Sequence, residues 1–287
     1  KATSFGGVGV LVFILCSGFG LYLSHLNRPL GYKDFFGKDL VGFIGDGYRM
    51  PSNCGIDALS GERSVDALLG NLFLFKMFVP EQESSTGGQM WFISTIIQFY
   101  IAWLLIVRLI SLNREVLDSS RYQSFVTTIV GLLGFGEEWA WNSFFLQYLW
   151  EFCLGMKLAE WYVKRPFVLK IPKWKFLLPT CLLGLALTGV MGWAGFPWRL
   201  YNDIPSLIGY TSLALIVYKI GIEPLNRFFS YTNRFSYEWY LVHILVFQVV
   251  MTAMKGKIAP FAEIALCLLL SYVIAMGYAR FLVQQIR

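Results

Sequence analysis

Long uncharged apolar runs alternate with short polar stretches along the chain, and the length of the runs sets the first expectation. Phe5 to Ser24, Met90 to Val107 and Phe176 to Trp198 hold no charged residue. Each approaches the roughly 20 residues that an α-helix needs to cross a bilayer. The pattern predicts eight transmembrane helices, at about 5–26, 90–110, 121–136, 142–162, 174–196, 203–221, 236–255 and 260–283. The third is short, and Gly131, Gly134 and Gly136 suit close approach of a neighbouring backbone. Prolines mark several ends, and Trp174, Trp193 and Trp198 fall near span ends, where amphipathic rings sit at headgroup level. The stretch 27–89 breaks the pattern: it is polar and Gly-rich, and its one apolar piece, LLGNLFLFKMFV, is short and contains Lys76. Read as a loop, it leaves His25 facing outward. Read as a weak ninth span, it turns the first helix around and leaves His25 facing the cytoplasm.

Composition agrees with the pattern. Of 287 residues, 56% are hydrophobic and 15% charged, with a mean hydropathy of +0.55; a soluble domain carries about 25% charged residues. The expectation is an all-α, polytopic transmembrane bundle forming a single domain over 1–287, seated in a lipid bilayer. The net charge of +6 does not indicate nucleic acid, because no basic run interleaved with aromatics lies on a polar surface and excess Lys and Arg in a membrane protein mark cytoplasmic loops. The loop VKRPFVLKIPKWK reads as cytoplasmic and GFGEEWAW as lying opposite, which places Arg108, Lys219, Arg227 and the C-terminus inside. Cys16, Cys153, Cys181 and Cys267 lie in apolar runs as packing residues, and Cys54 sits alone in a polar loop, so there is no disulfide framework. A span begins almost at Lys1 without a recognisable leader pattern, so Lys1 reads as an internal point of a longer protein.

Candidate chemistry lies in the polar groups inside the spans, where a central charge costs about 2.5–3.5 kcal/mol on insertion scales and implies a partner or a wet cavity. His243, in SYEWYLVHILVF, is the clearest, because a neutral imidazole both donates and accepts. Glu151, in YLWEFCLGMKLAE, is next. Gln98 and Tyr100 are two residues apart, so their side chains diverge by about 200° around a helix. Glu238 and Glu263 fall at span ends and read as solvated. Each buried polar group also has a bland reading: a hydrogen bond to a neighbouring helix for His243, a pair with a buried polar residue for Glu151, packing for Gln98 and Tyr100. Two histidines and scattered carboxylates form no metal set, and no phosphate-binding glycine loop appears.

Four segments in order resemble the bacterial acyltransferase family 3, polytopic membrane O-acyltransferases. GGVGVLVFILCSGFGLYLS is similar to the family's Ser-Gly-Phe span through Ser17, Gly18 and Phe19. MWFISTIIQFYIAWLL resembles its Trp-Phe-(Ile/Leu)-Ser…Gln-(Phe)-Tyr span through Trp91, Ser94, Gln98 and Tyr100. YLWEFCLGMKLAE resembles its Glu-Phe-x-x-Gly segment through Glu151, Phe152 and Gly155. SYEWYLVHILVF is similar to its Ser-Tyr-x-x-Tyr-Leu-x-His signature through Ser236, Tyr237, Tyr240, Leu241 and His243.

The resemblance implies a bundle of roughly ten helices in the inner membrane of a bacterium. It implies transfer of an acyl group, usually acetyl, from acetyl-CoA as donor substrate, with no permanently bound cofactor, to a hydroxyl of a cell-envelope or exported carbohydrate or glycolipid. His243, Glu151 and Tyr100 become the candidate catalytic groups. Ser17, Gly18, Phe19, Trp91, Gln98 and Tyr240 become candidates for holding donor or acceptor, with Arg28, Lys33 and Lys38 as point charges for the CoA phosphates. Two features depart from the family pattern. The chain opens where the family's second span begins, without the preceding span that carries an Arg and a His, and His25 does not replace that histidine because it follows Ser-Gly-Phe. The loop expected to carry arginines offers Lys38, Asp39 and Gly42 instead. The family topology includes a further span in 27–89, so the first helix is expected to run inward. A non-catalytic relative that binds without transferring, and a transporter, are the alternatives.

Overall fold

The computed structural model describes residues 8–29, 91–113, 126, 128–134, 144–165, 171–195 and 198–286. Among them the long elements are α-helices: α1 (Val8–Asn27), α2 (Trp91–Leu112), α3 (Leu149–Lys164), α4 (Trp174–Ala194), α5 (Asp203–Ile220), α6 (Glu223–Thr232), α7 (Ser236–Met254) and α8 (Pro260–Ile286). Short 3-10 turns at Phe145–Tyr148, Trp198–Tyr201 and Asn233–Phe235 lead into α3, α5 and α7. Their sequences explain them: uninterrupted Leu, Ile, Val, Phe and Ala favour helix in lipid, where every backbone N–H and C=O must be paired within the segment. Proline is kept mostly to first turns, at Pro205, Pro224 and Pro260, where its missing N–H costs nothing. Pro179 is the exception, lying inside α4. Gly195, with φ of 76°, closes α4 in a conformation that side chains other than glycine rarely adopt.

Among the described residues, five helical stretches are long and apolar enough to cross a membrane: Gly9–Asn27, Trp91–Leu112, Trp174–Ala194, Glu223–Met254, which joins α6 to α7, and Pro260–Phe281. Eight or nine were expected. α3 has 16 residues and carries Glu151, Lys157, Glu160 and Lys164, so it spans only about 24 Å. α5 begins on Asp203 and ends near Lys219. Half of the expected third span, 121–136, lies outside the described residues; within the rest Gly134 meets no neighbour within 4 Å and, with φ of 81°, ends a helical turn instead of admitting a helix. The stretch 30–90, with Lys33, Lys38 and any ninth span, also lies outside them. The helix α6 was not expected, because its polar average hides an apolar stripe. Large apolar side chains cover the outer faces of the long helices, among them Leu105, Leu182, Leu183, Val190, Leu269 and Ile274. Trp174, Trp193 and Trp198 are exposed at helix ends. This is the surface of an integral membrane protein.

The chain packs as two compact units, of which residues 8–29 through 220 describe the first and Gly221–Ile286 the second. In the first, α1, α2 and α3 run parallel. Phe13 meets Phe92 at 6.1 Å and Tyr22 meets Trp103 at 6.3 Å, so numbering rises together on α1 and α2. Trp91 meets Tyr148 at 5.8 Å and Phe99 stacks on Phe152 at 4.4 Å, so it rises together on α2 and α3. The tail of α1, with His25 and Arg28, therefore shares an end with Arg108, as expected for a first helix running towards the basic side. α4 and α5 form an antiparallel hairpin joined by hydroxyl pairs, Thr180 with Ser212 at 3.1 Å and Thr188 with Ser206 at 3.0 Å. In the second unit α7 and α8 pack antiparallel around Val246, Val250 and Cys267. The Trp239 indole donates to Ser271 at 3.0 Å.

The core of the first unit depends on a crossing of α1 over α3. A methyl group on Gly18 would run into the carbonyl of Phe152, and one on Gly155 into the carbonyl of Leu15. The Ser-Gly-Phe and Glu-Phe-x-x-Gly segments are thus two halves of one contact, in which small residues let two backbones touch. Around it Ile14, Phe99, Trp103, Phe152 and Met156 are fully buried. We predict that Gly18→Ala and Gly155→Ala each destabilise the protein by about 1–3 kcal/mol through overpacking. Gly20→Ala, where nothing lies within 4 Å, raises stability by about 0.5–1 kcal/mol through helix propensity. Thermal unfolding in detergent micelles checks the contrast.

Candidate functional site

In the second unit the polar groups gather on one stripe of α7. Ser236, Tyr240, His243 and Phe247 are spaced four, three and four apart, so they share a face. The imidazole of His243 is half-buried, 5.7 Å from the Tyr240 ring and 6.1 Å from Phe247. Its Nδ1 lies 2.6 Å from the carbonyl of Tyr240 and 3.2 Å from that of Trp239. A carbonyl only accepts, so Nδ1 carries a proton, and in the neutral ring the lone pair then sits on Nε2. The bland expectation for His243, a bond to a neighbouring helix, is replaced by one to its own. That arrangement fixes the tautomer of a ring able to accept a proton at Nε2. The Ser236 hydroxyl donates to the Asn233 carbonyl at 3.2 Å.

In the first unit the heads of α2, α3 and α5 bring a second set together. Glu151 is completely buried, and neither of its carboxylate oxygens closes a hydrogen bond. The Trp150 indole and the backbone N–H of Glu151 itself both bear on it without closing a hydrogen bond of normal geometry. The structural pair expected for Glu151 is therefore absent. Its electrostatic neighbour is instead Asp203, the first residue of α5, whose charge also bears on Tyr148. Asp203 is hydrogen-bonded by the Gln147 side chain. Asn202 beside it is buried, with its Oδ1 unpaired.

Gln98 holds this head in place: its Oε1 accepts from the Phe145 N–H at 3.2 Å and its Nε2 donates to Ser94 at 3.4 Å. It ties the turn before α3 to α2, whereas Tyr100, diverging as expected, packs half-buried on the core cluster. Trp91 lies against Tyr148. Of the α1 candidates, the Ser17 hydroxyl donates to the Phe13 carbonyl at 2.8 Å, Gly18 is the crossing described above, and the Phe19 ring lies 6.0 Å from Tyr162. Arg28 is exposed at the basic tail. The expected residues thus divide into the α7 stripe, the α3 head and the α1 crossing. Among the described residues no three His, Cys, Asp or Glu side chains converge.

Sequence reasoning missed Asp203, Asn202 and Gln147. The available signal was an acid, Asp203, opening a run that otherwise holds no acid.

Comparison with known proteins assigns the class. The family model described as an acyltransferase domain matches residues 2–280, nearly the whole chain. The protein belongs to acyltransferase family 3, a family of membrane acyltransferases. No curated protein and no solved structure matches it significantly.

The Gln98 bridge leads to a direct expectation. Gln98→Leu leaves the Phe145 N–H without its acceptor and lowers stability by about 1–3 kcal/mol. Gln98→Glu keeps an oxygen at that position and loses less. Chemical denaturation of the two variants in the same detergent checks the order.

Proposed function

We propose that this protein is a membrane-bound O-acyltransferase that moves an acyl group, acetyl in the simplest case, from acyl-CoA to a hydroxyl of a cell-envelope or exported carbohydrate. The observation that carries the reading is the Nδ1 contact of His243, which leaves Nε2 as a general base in an apolar helix. The base takes the proton of the acceptor hydroxyl as its oxygen attacks the thioester carbonyl. The tetrahedral intermediate collapses, the C–S bond breaks, and the imidazolium returns the proton to the CoA thiolate. Atoms and charge balance with no further reactant.

Charge distribution supports a direction. In the first unit His25, Arg28, Arg108, Lys164 and Arg165 lie at or near the tails of α1, α2 and α3. Basic ends favour the cytoplasmic face, where CoA is made. We assign the CoA phosphates to that face, with Arg28 and the more distal Lys33 and Lys38 as attracting charges. The basic loops along the sequence, with Arg280 and Arg287 near the end of the chain, favour a cytoplasmic C-terminus in a bacterial inner membrane. Glu151, Trp91, Gln98 and Tyr100 position substrate within the first unit, and Tyr240 stands beside the base in the second.

The test uses the full chain in lipid nanodiscs, labelled acetyl-CoA and an envelope glycolipid extract. Label appears in the glycolipid, and His243→Ala lowers the rate by about 10²–10⁴-fold while acetyl-CoA binding persists. Binding of acetyl-CoA by the unaltered protein without any transfer would identify a non-catalytic relative and overturn the reading.

A further inference from the structure

A fully buried carboxylate with both oxygens unpaired is an expensive feature. Buried polar groups are almost always satisfied, and each exception requires an explanation. At the head of α3 the deficit has one sign. Glu151 leaves two acceptor oxygens without donors and Asn202 leaves a third. Asp203 adds a further carboxylate close enough to act on Glu151, held by Gln147. No cation is paired with Glu151, and the ion pair on α3, Lys164 with Glu160, lies at its other end. What this head lacks is hydrogen-bond donors.

A second feature narrows the ligand. The Trp91 ring, half-buried at the start of α2, lies against Tyr148, which directly precedes α3. An indole face beside a group of acceptor oxygens matches a pyranose, whose C–H face packs on an aromatic ring while its hydroxyls donate to carboxylates. An inorganic cation would satisfy the carboxylates but give the ring no role. A fatty chain would satisfy neither.

We propose that Glu151, Asp203 and Asn202 hold the acceptor carbohydrate through its hydroxyls, with Trp91 as the stacking surface. The site lies at the heads of α2, α3 and α5, the end of the first unit opposite the basic tails. It deepens the acyltransferase reading, on which the word acceptor rests, by assigning donor and acceptor to opposite ends. It also gives Glu151 a role in binding: the sugar hydroxyls supply the donors that the protein does not.

The experiment measures binding separately from turnover. The full chain in nanodiscs is titrated with tritiated octyl β-glucoside below its micellar concentration, and separately with acetyl-CoA, and its melting temperature is recorded. The unaltered protein binds the glycoside saturably. Glu151→Gln and Asp203→Asn each weaken that binding by about tenfold or more, as loss of a charge-assisted hydrogen bond requires. They leave acetyl-CoA affinity unchanged and do not lower the melting temperature. Asn202→Ala, which removes no charge, gives a smaller loss in the same direction and serves if the acid variants fail to fold. Three results overturn the proposal: no saturable glycoside binding, equal glycoside affinity in all variants, or binding that appears only with added sodium or calcium. A protein that binds glycoside in this pattern but never transfers acetate keeps the site and sinks the acyltransferase reading instead.

Discussion

The contact of α1 with α3 sets the dimensions of the first unit. Two helices normally pack 8–10 Å apart because side chains stand between them; at Gly18 and Gly155 nothing does. Backbone meets backbone, and the large residues are displaced to the flanks, where Phe99, Phe152 and Trp103 stack around the crossing. Lipid offers helices little hydrophobic reason to associate, so contact area must come from close fit. The same solution recurs between α4 and α5, where a methyl group on Gly184 would lie 2.6 Å from the Cα of Gly209. The position of the α3 head, and so of Glu151, follows from the first of these contacts.

Inside such a bundle, hydroxyls rarely need a partner on another helix. Ser17, Thr95 and Thr180 each donate to a carbonyl three or four residues earlier in their own helix. His243 does the same with Nδ1. These groups are stable in lipid without any ligand, which makes the contrast with Glu151 sharp: it closes no such bond with its own helix. The difference between a polar residue that helix geometry satisfies and one that it cannot separates packing from binding across the described chain.

Helix existence was legible in the sequence because apolar run length is a direct physical requirement of the bilayer; α1, α2, α4, α7 and α8 begin and end within a few residues of expectation. The amphipathic α6 was not, since a window scaled to membrane spans averages Phe228 and Phe229 with Glu223, Asn226 and Arg227. Residues of the family segments also have structural work that a linear reading does not show: Gly18 lies in the helix crossing, and Gln98 braces the turn before α3. Glu151 stood out because a charge in an apolar run is visible in one dimension. Asp203 did not, because its nearness to Glu151 exists only after folding brings residues fifty positions apart to one end.

The α4–α5 hairpin has a mechanical consequence. Its two hydroxyl rungs lie on either side of the Gly184–Gly209 contact, with Thr188 and Ser206 near the tip and Thr180 and Ser212 further down. Sliding one helix along the other would break both rungs and drive glycine backbone into side chains, so the pair behaves as a beam without internal play. Asn202 and Asp203 are carried at its tip. The rigidity of the hairpin therefore sets where Asn202 and Asp203 stand beside the head of α3.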